Sequence, residues 1–387
     1  MPLNSFPHVR VGRSHDDKFA AAAVESLLHR SGFAEGEPSQ AARELRFVKL
    51  SELAERSLAA AGVQTAGMAP EDIARDALKG DGSEMYVSAG SGSSMRPGDF
   101  PNLLSNLAGK ILEPIPEYAG ATYREWATPI PSVPDFKPKT LIATGEFGEF
   151  PIVPDGADFE DGRTPAEEVS FIQVAQYGDE GKLTPTMIAG DDLDAFTEMF
   201  TDKQAAHELT LNRLCVDILV GNPILLDGNA FFSAAHGNDR TLGGQPSQSE
   251  LAAMRTLLRK QTGASDLRKL NHQLAHLLVP EDLETVTEQL LADLQVVPVT
   301  DGNVNTFRRR VTFSVEPMLG ETSAVRYFGF ATPKLGRAVA YTHQRGYERM
   351  KVVGYYNPKN GCRVFQFQGR FAAAARNYRG VVRNAGQ

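Results

Sequence analysis

From Asp135 to Ala189 the sequence is extended, acidic and punctuated by turn residues, and this stretch constrains the fold more than any other. Its middle, Pro154 to Glu168, carries the Pro, Gly and Asp clusters of a long turn. Its flanks, Thr140–Ile152 and Val169–Tyr177, have the β-branched and aromatic content of strands. Together they predict a long two-stranded arm. An isolated two-stranded hairpin is at best marginally stable in water. Such an arm therefore needs a surface to lie on, and another chain is the first expectation.

Charge supplies a partner for it. The formal net charge is −8. From Phe307 to Gln387 there are fifteen Lys or Arg against three acids, Glu316, Glu321 and Glu348. Between Asp135 and Glu198 fifteen acids face Lys137, Lys139, Arg163 and Lys182. Opposite patches steer association and fix register more than they add affinity. The acidic arm is thus expected to meet the basic C-terminal region, within or between subunits. A basic terminal region also suits nucleic acid, but the alternating aromatics of RYFGF and RVFQF read as buried strand faces.

The elements around the arm have readable boundaries. Residues 1–97 read as a separate helical segment ending in a flexible linker, SAGSGSSMRPG. Its helices are Asp16–Arg30, one capped by Ser51 with Leu53, Ala54, Leu58 and Ala61 at helical spacing, and one opened by Pro70 and closed at Gly80. Then comes DFPNLLSNLAGKIL, with Leu103, Leu104, Leu107 and Ile111 on one face. The longest helix spans about Asp194 to Val220, roughly 40 Å at about 1.5 Å per residue. Phe196, Met199, Phe200, Ala206, Leu211, Leu214, Cys215 and Ile218 form its apolar stripe, and Gly221-Asn222-Pro223 ends it. Ser247 and Glu250 make a capping box. HQLAHLLVP, VRYFGFAT, the hairpin KVVGYY-NPKNG-CRVFQFQ and RFAAAARNYRGVVRN read as strands. The order is α+β, with no βαβ alternation and no internal repeat.

Chemistry-bearing constellations are sparse. His272 and His276 have i,i+4 spacing, but no Glu follows His272 as in a zinc protease motif. His236, in a Gly/Asn-rich loop, is expected in a turn or a hydrogen bond to backbone. No G-x-S-x-G elbow is usable, and GSGSS in the linker lacks the Lys-Ser/Thr of a phosphate loop. Asp191-Asp192 and Glu167-Glu168 adjoin a helix start or a turn, where they suit the helix dipole or solvate a loop. Trp126 is expected to anchor against the core, as is Cys215. Two cysteines, Cys215 and Cys362, make no disulfide framework and fit a reducing cytosol. MPLNSFPHVRVGR has no apolar signal region, and no stretch reaches the roughly 18 apolar residues of a membrane helix. The expectation is no catalytic, cofactor or metal residues and no enzyme; a protease remnant or hydrolase using His236, His272 or His276 is the rival.

DFPNLLSNLAGKIL (99–112), YREWATPIPSVPDFK (123–137), the EFGEF–VPDGADF arm, DDLDAFTEM, LVGNPILLDGNAFFSAAHGN (219–238), LAHLLVPEDLETVTEQLLAD and ARNYRGVVRN resemble, in combination, the major capsid proteins of tailed double-stranded-DNA phages. The branch is the one often encoded behind a prohead protease, whose own serine and histidine motifs are absent here. The resemblance implies the Hong Kong-type phage major capsid protein fold. That fold has an N-terminal arm, an extended β-hairpin loop, a long spine helix, and peripheral and axial domains. By residue this gives a helical scaffold-like segment and linker at 1–97, of a kind commonly removed by a maturation protease. The N-terminal arm and start of the peripheral domain follow at 98–137, and the extended loop at 138–188. The spine helix is 189–221, the axial domain 222–345 and the C-terminal peripheral part 346–387. The implied function is a shell subunit, a homo-oligomer of pentamers and hexamers in an icosahedral virion capsid assembled in the host cytoplasm. It would enclose DNA without sequence-specific binding and without a membrane, alongside portal, maturation protease and decoration proteins. A cargo-enclosing encapsulin-like compartment is the alternative within the same fold. Some members seal the shell by a loop-lysine isopeptide; here the tip, Pro154–Glu168, has no lysine, and Lys137 and Lys139 lie at the base.

Overall fold

The structure is a computed structural model and describes residues 15–34, 36–60, 62–80, 85–87, 100–112, 120–144, 152–153, 167–266, 268–292, 307, 310–332 and 336–386. In chain order its elements begin with helices α1 (His15–Arg30), α2 (Gln40–Glu44), α3 (Leu50–Ala60) and α4 (Pro70–Lys79), strand β1 (Met85–Val87) and helix α5 (Phe100–Ile111). Next come α6 (Tyr123–Trp126), β2 (Thr128–Pro129), β3 (Lys139–Thr144), β4 (Glu167–Ile172), β5 (Ala175–Leu183), α7 (Pro185–Ala189) and α8 (Leu193–Gly221). The remainder is β6 (Asp239–Arg240), α9 (Gln248–Lys260), β7 (Leu274–Val279), α10 (Glu284–Leu291), β8 (Thr312–Val315), α11 (Pro317–Gly320), β9 (Tyr327–Ala331), β10 (Val339–His343), β11 (Lys351–Asn357), β12 (Cys362–Ala375) and β13 (Val381–Asn384). The expected α+β class holds. Tip residues 154–166 and linker residues 88–99 lie outside the described residues.

The chain divides into two compact units, and α8 and β12 each contribute to both. The first holds residues 1–119, 177–207 and 349–369. In it the hairpin β11–β12 pairs Tyr355 with Val364 and Lys351 with Gln368, and β1 adds antiparallel to β11. Phe365 stands among Phe196 and Phe200 at 6.1 and 5.2 Å between ring centroids, and Phe367 lies 5.2 Å from Phe200. Residues read as a separate helical segment are part of this same core: Leu27, Leu53, Ala54 and Leu78 are buried with Phe196 and Phe365. Helix α3 starts at Leu50, so Ser51, expected as its cap, lies inside it. Its end is satisfied from afar, because the Leu50 N–H donates to Asp191 Oδ1 at 2.7 Å.

The second unit holds residues 120–176, 208–348 and 370–387. One five-stranded sheet in it has the order β6-β13-β9-β7-β8, with α9 contributing Leu251, Met254 and Leu258 to the core it shares with Leu277 and Tyr327. Trp126 does anchor here, stacked on Phe330 at 5.1 Å. The C-terminal half of α8 faces inward through Leu211, Cys215, Val216 and Leu219. Ala206, placed on the stripe by spacing, is exposed, whereas Asn212 is fully buried. Asn212 Oδ1 accepts from the Thr122 and Tyr123 N–H groups at 3.2 and 3.0 Å, and its Nδ2 donates to the Glu316 carboxylate at 2.8 Å. A polar residue on the buried face is tolerated because each of these groups finds a partner.

Candidate assembly face

The arm differs from the uniform hairpin expected. Its two strands are β3 and β4, in register from Lys139↔Ile172 to Thr144↔Glu167. The second limb then breaks: β5 leaves to pair with β12, so Tyr177 belongs to a different sheet. Opposed residues in an antiparallel pair share a face. One face carries Leu141 and Ile172, buried against Val133, Val174, Ala340 and Ala372. The base of the arm therefore does bury itself, which the sequence reading did not expect. The other face carries Thr140 opposite Phe171 and Ile142 opposite Val169. Ile142 and Phe171 are 49% and 53% exposed, so this face is apolar and wet.

A groove of about 650 Å³ continues that face. Val169 and Phe171 form one wall and Ile218, Pro223, Ile224 and Leu226 another, with Glu168, Asp227, Arg376 and Tyr378 also lining it. Ile224 and Leu226 are 76% and 67% exposed. Their loop is held rigid from behind. Asn222 adopts φ 48°, in the left-handed region that Asn tolerates, and its amide bonds both backbone groups of Phe232. Phe231 N–H donates to Pro223 O at 2.9 Å, and Leu225 N–H to Asn229 O at 2.8 Å.

Glu168 and Asp227, the acids around the groove, are paired. Arg379 grips Glu168 of β4 through two guanidinium bonds of 2.5 and 2.8 Å, and its Nε donates to Thr262 O. The expected meeting of arm acid and C-terminal base is thus realised within one chain at this pair. Tyr378 lies under Arg379 and stacks on His236 at 3.7 Å. Burial pushes the Tyr378 hydroxyl up. His236 faces Asp227 Oδ2 at 2.7 Å and Phe231 O at 3.2 Å. For Asp227, burial raises the pKa, but hydrogen bonds from His236 and Asn229 outweigh it and hold the carboxyl below its usual value. Glu168 does more than solvate a loop, and Asp191 caps another helix rather than its own.

The remaining sequence candidates occupy structural places. His276 Nδ1 meets Thr312 Oγ1 at 2.8 Å and Nε2 meets Ser314 Oγ at 2.9 Å. Ser314 is itself bonded to Glu125. Burial lowers the His276 pKa, with Glu125 opposing, and His272 is lowered by burial and then by Arg379. Ser314 and His276 lie buried in adjacent strands β8 and β7. Among the described residues no group of three His, Cys, Asp or Glu is placed to hold a metal ion, and no helix is long and apolar enough to cross a membrane. Both cysteines are buried and free, and burial pushes the Cys215 thiol up. Spacing arguments missed Phe171, Ile224 and Leu226. The signal for the last two was an apolar triplet, ILL, enclosed by Asn-Pro and Asp-Gly in a turn.

An apolar sheet face and a stiffened apolar loop left in water define an assembly subunit, whose work is contact with other chains. The phage capsid protein family model matches residues 167–384. The chain belongs to the phage capsid protein family: it is a structural capsid subunit, and its place is the virion capsid. Among solved structures it is similar to one from Microbacterium phage Oxtober96, at 10% identity over 70% of this chain and 92% of that one, TM-score 0.46. It is also similar to the capsid of Myoviridae phage XM1, at 14% identity over 70% and 94%, TM-score 0.40. A virus-like particle from Pyrococcus furiosus is similar at 9% identity over 68% and 92%, TM-score 0.40. No curated protein matches the chain.

Proposed function

We propose that shells grow by burial of this face, the outer side of β3–β4 with Ile224 and Leu226, against a second copy of the chain. The observation that carries the reading is the exposure of Phe171, Ile224 and Leu226 on a framework that Glu168–Arg379 and the Asn222 amide hold in place. Fully burying side chains of this size contributes about 1.5–3 kcal/mol each, enough to drive association once repeated around a shell. The extended loop is read at 138–188, the spine helix at 189–221, the axial domain at 222–345 and the peripheral part at 346–387, with β13 of that last part lent to the sheet of β9. Pentamers and hexamers close an icosahedral shell in the host cytoplasm around double-stranded DNA held without sequence-specific contacts. Portal, maturation protease and decoration proteins are its partners in that process.

The test is the double variant F171D/I224D, followed by electron microscopy and sedimentation. Soluble, folded subunits that form no particles are expected. Normal shells from that variant would remove the face from assembly. Nucleic acid recovered from wild-type particles is expected in place of a protein cargo.

A further inference from the structure

Helices α1–α4 were expected to form a detachable segment, yet their packing is that of a core. Leu27, Leu53, Ala54 and Leu78 are each at most 3% exposed, in one cluster with Phe196 and Phe365. The Arg363 guanidinium, itself buried, donates to Leu78 O in the last turn of α4 and to Gly354 O on β11. Strand β1, beyond α4, is hydrogen-bonded to β11.

One residue joins the two sides by charge. Asp191 stands just before α8 with φ 60°, a left-handed backbone uncommon outside glycine, though Asp is among the residues that tolerate it. The conformation places its carboxylate between two N-terminal helices. Oδ1 accepts from the Leu50 N–H at the start of α3, at 2.7 Å, and Oδ2 from Arg30 Nη2 at the end of α1, at 2.9 Å. Arg30 Nη1 in turn donates to Val48 O at 2.9 Å, tying α1 to the segment before α3. A negative charge at a helix N-terminus is favourable. The same atom group thus caps one helix and pairs with another.

We propose that α1–α4 are a permanent part of the shell subunit, docked by Asp191, and that a maturation cut between α4 and α5 changes connectivity without releasing them. The shell context rests on the function proposed above; the docking itself does not. Loss of these helices would bare to water the apolar side chains of α5 and α7 against which α1, α3 and α4 pack, Leu104, Leu107 and Ile188 among the buried ones, which a removable scaffold would not do.

The experiment uses the full chain with a site-specific protease sequence placed within residues 89–98. After complete cleavage, gel filtration under native conditions is expected to show both fragments co-eluting at the uncut position. Fragments that elute apart, with the larger one soluble and folded, overturn the proposal. In the cut protein, D191A is expected to release the N-terminal fragment about tenfold more readily. The R30A/D191A pair should show less than the product of the single effects, as for contacting residues. Unchanged fragment retention in D191A removes the docking role. An uncut wild-type chain that forms no particles would instead count against the shell function and leave the docking result standing.

Discussion

His276 stands between two hydroxyls, Thr312 Oγ1 and Ser314 Oγ, with the Glu125 carboxylate 3.7 Å away. Burial holds its pKa below 6.5, and Glu125 offsets only part of that. His272 is displaced the same way, by burial first and then by Arg379. Below pH 6.5 the unfolded chain therefore binds more protons at these sites than the native one. Stability rises with pH wherever that is so. Acidification from about 6.5 downward is thus expected to lower the unfolding temperature, before Glu250 begins to contribute. Glu250, held low first by its bond from Arg240 although burial opposes, loses its stabilising charge only below its ordinary value of 4.5. Replacing His276 with Gln keeps a polar partner for Ser314 and removes the titration. Thermal unfolding across about pH 5 to 6.5 should be flatter in H276Q than in wild type. Equal slopes would show that the imidazole does not couple to folding.

At the scale of elements, β12 and α8 meet through aromatic rings. Phe365 contacts Phe196 and Phe200 edge-on and is fully buried. Phe365→Ala should cost about 3–5 kcal/mol, read as a lowered denaturant midpoint with little change in slope. A loss under about 1 kcal/mol would mean that the site collapses around the gap. These elements were legible because their signals are local. KVVGYY and CRVFQFQ alternate with period two about a turn, and the long helix shows its stripe and its Gly-Asn-Pro stop. What escaped was decided at a distance. Ser51 is a good cap by type, yet Asp191, far along the chain, supplies the acceptor one residue earlier. The arm's second limb looks continuous through Tyr177, yet β4 and β5 take partners in different sheets. Period-two patterning says that a strand forms, not which strand it joins. Asn212 reads as a flaw in an apolar stripe until Glu316, Thr122 and Tyr123 are seen around it.

Across the whole molecule the sequence divides into an acidic stretch and a basic one, and the structure pairs some of their charges within the chain. Glu168–Arg379 and Asp239–Arg383 are internal pairs, but the Asp135–Glu198 stretch and the region after Phe307 keep many further charges of opposite sign. If such charges meet those of neighbouring copies in a shell, they act on encounter more than on final affinity. The apolar face of Phe171, Ile224 and Leu226 behaves differently, since salt does not screen it. Raising the salt from about 0.1 to 1 M shortens the Debye length from about 10 to 3 Å. The initial assembly rate of purified subunits, followed by light scattering, is therefore expected to fall several-fold. The final particle yield should stay close to its low-salt value, because apolar burial sets the end point. An unchanged rate would show that the charge division has no steering role. A collapse of both rate and yield would instead assign the shell's cohesion to ion pairs and reduce the apolar face to a spectator.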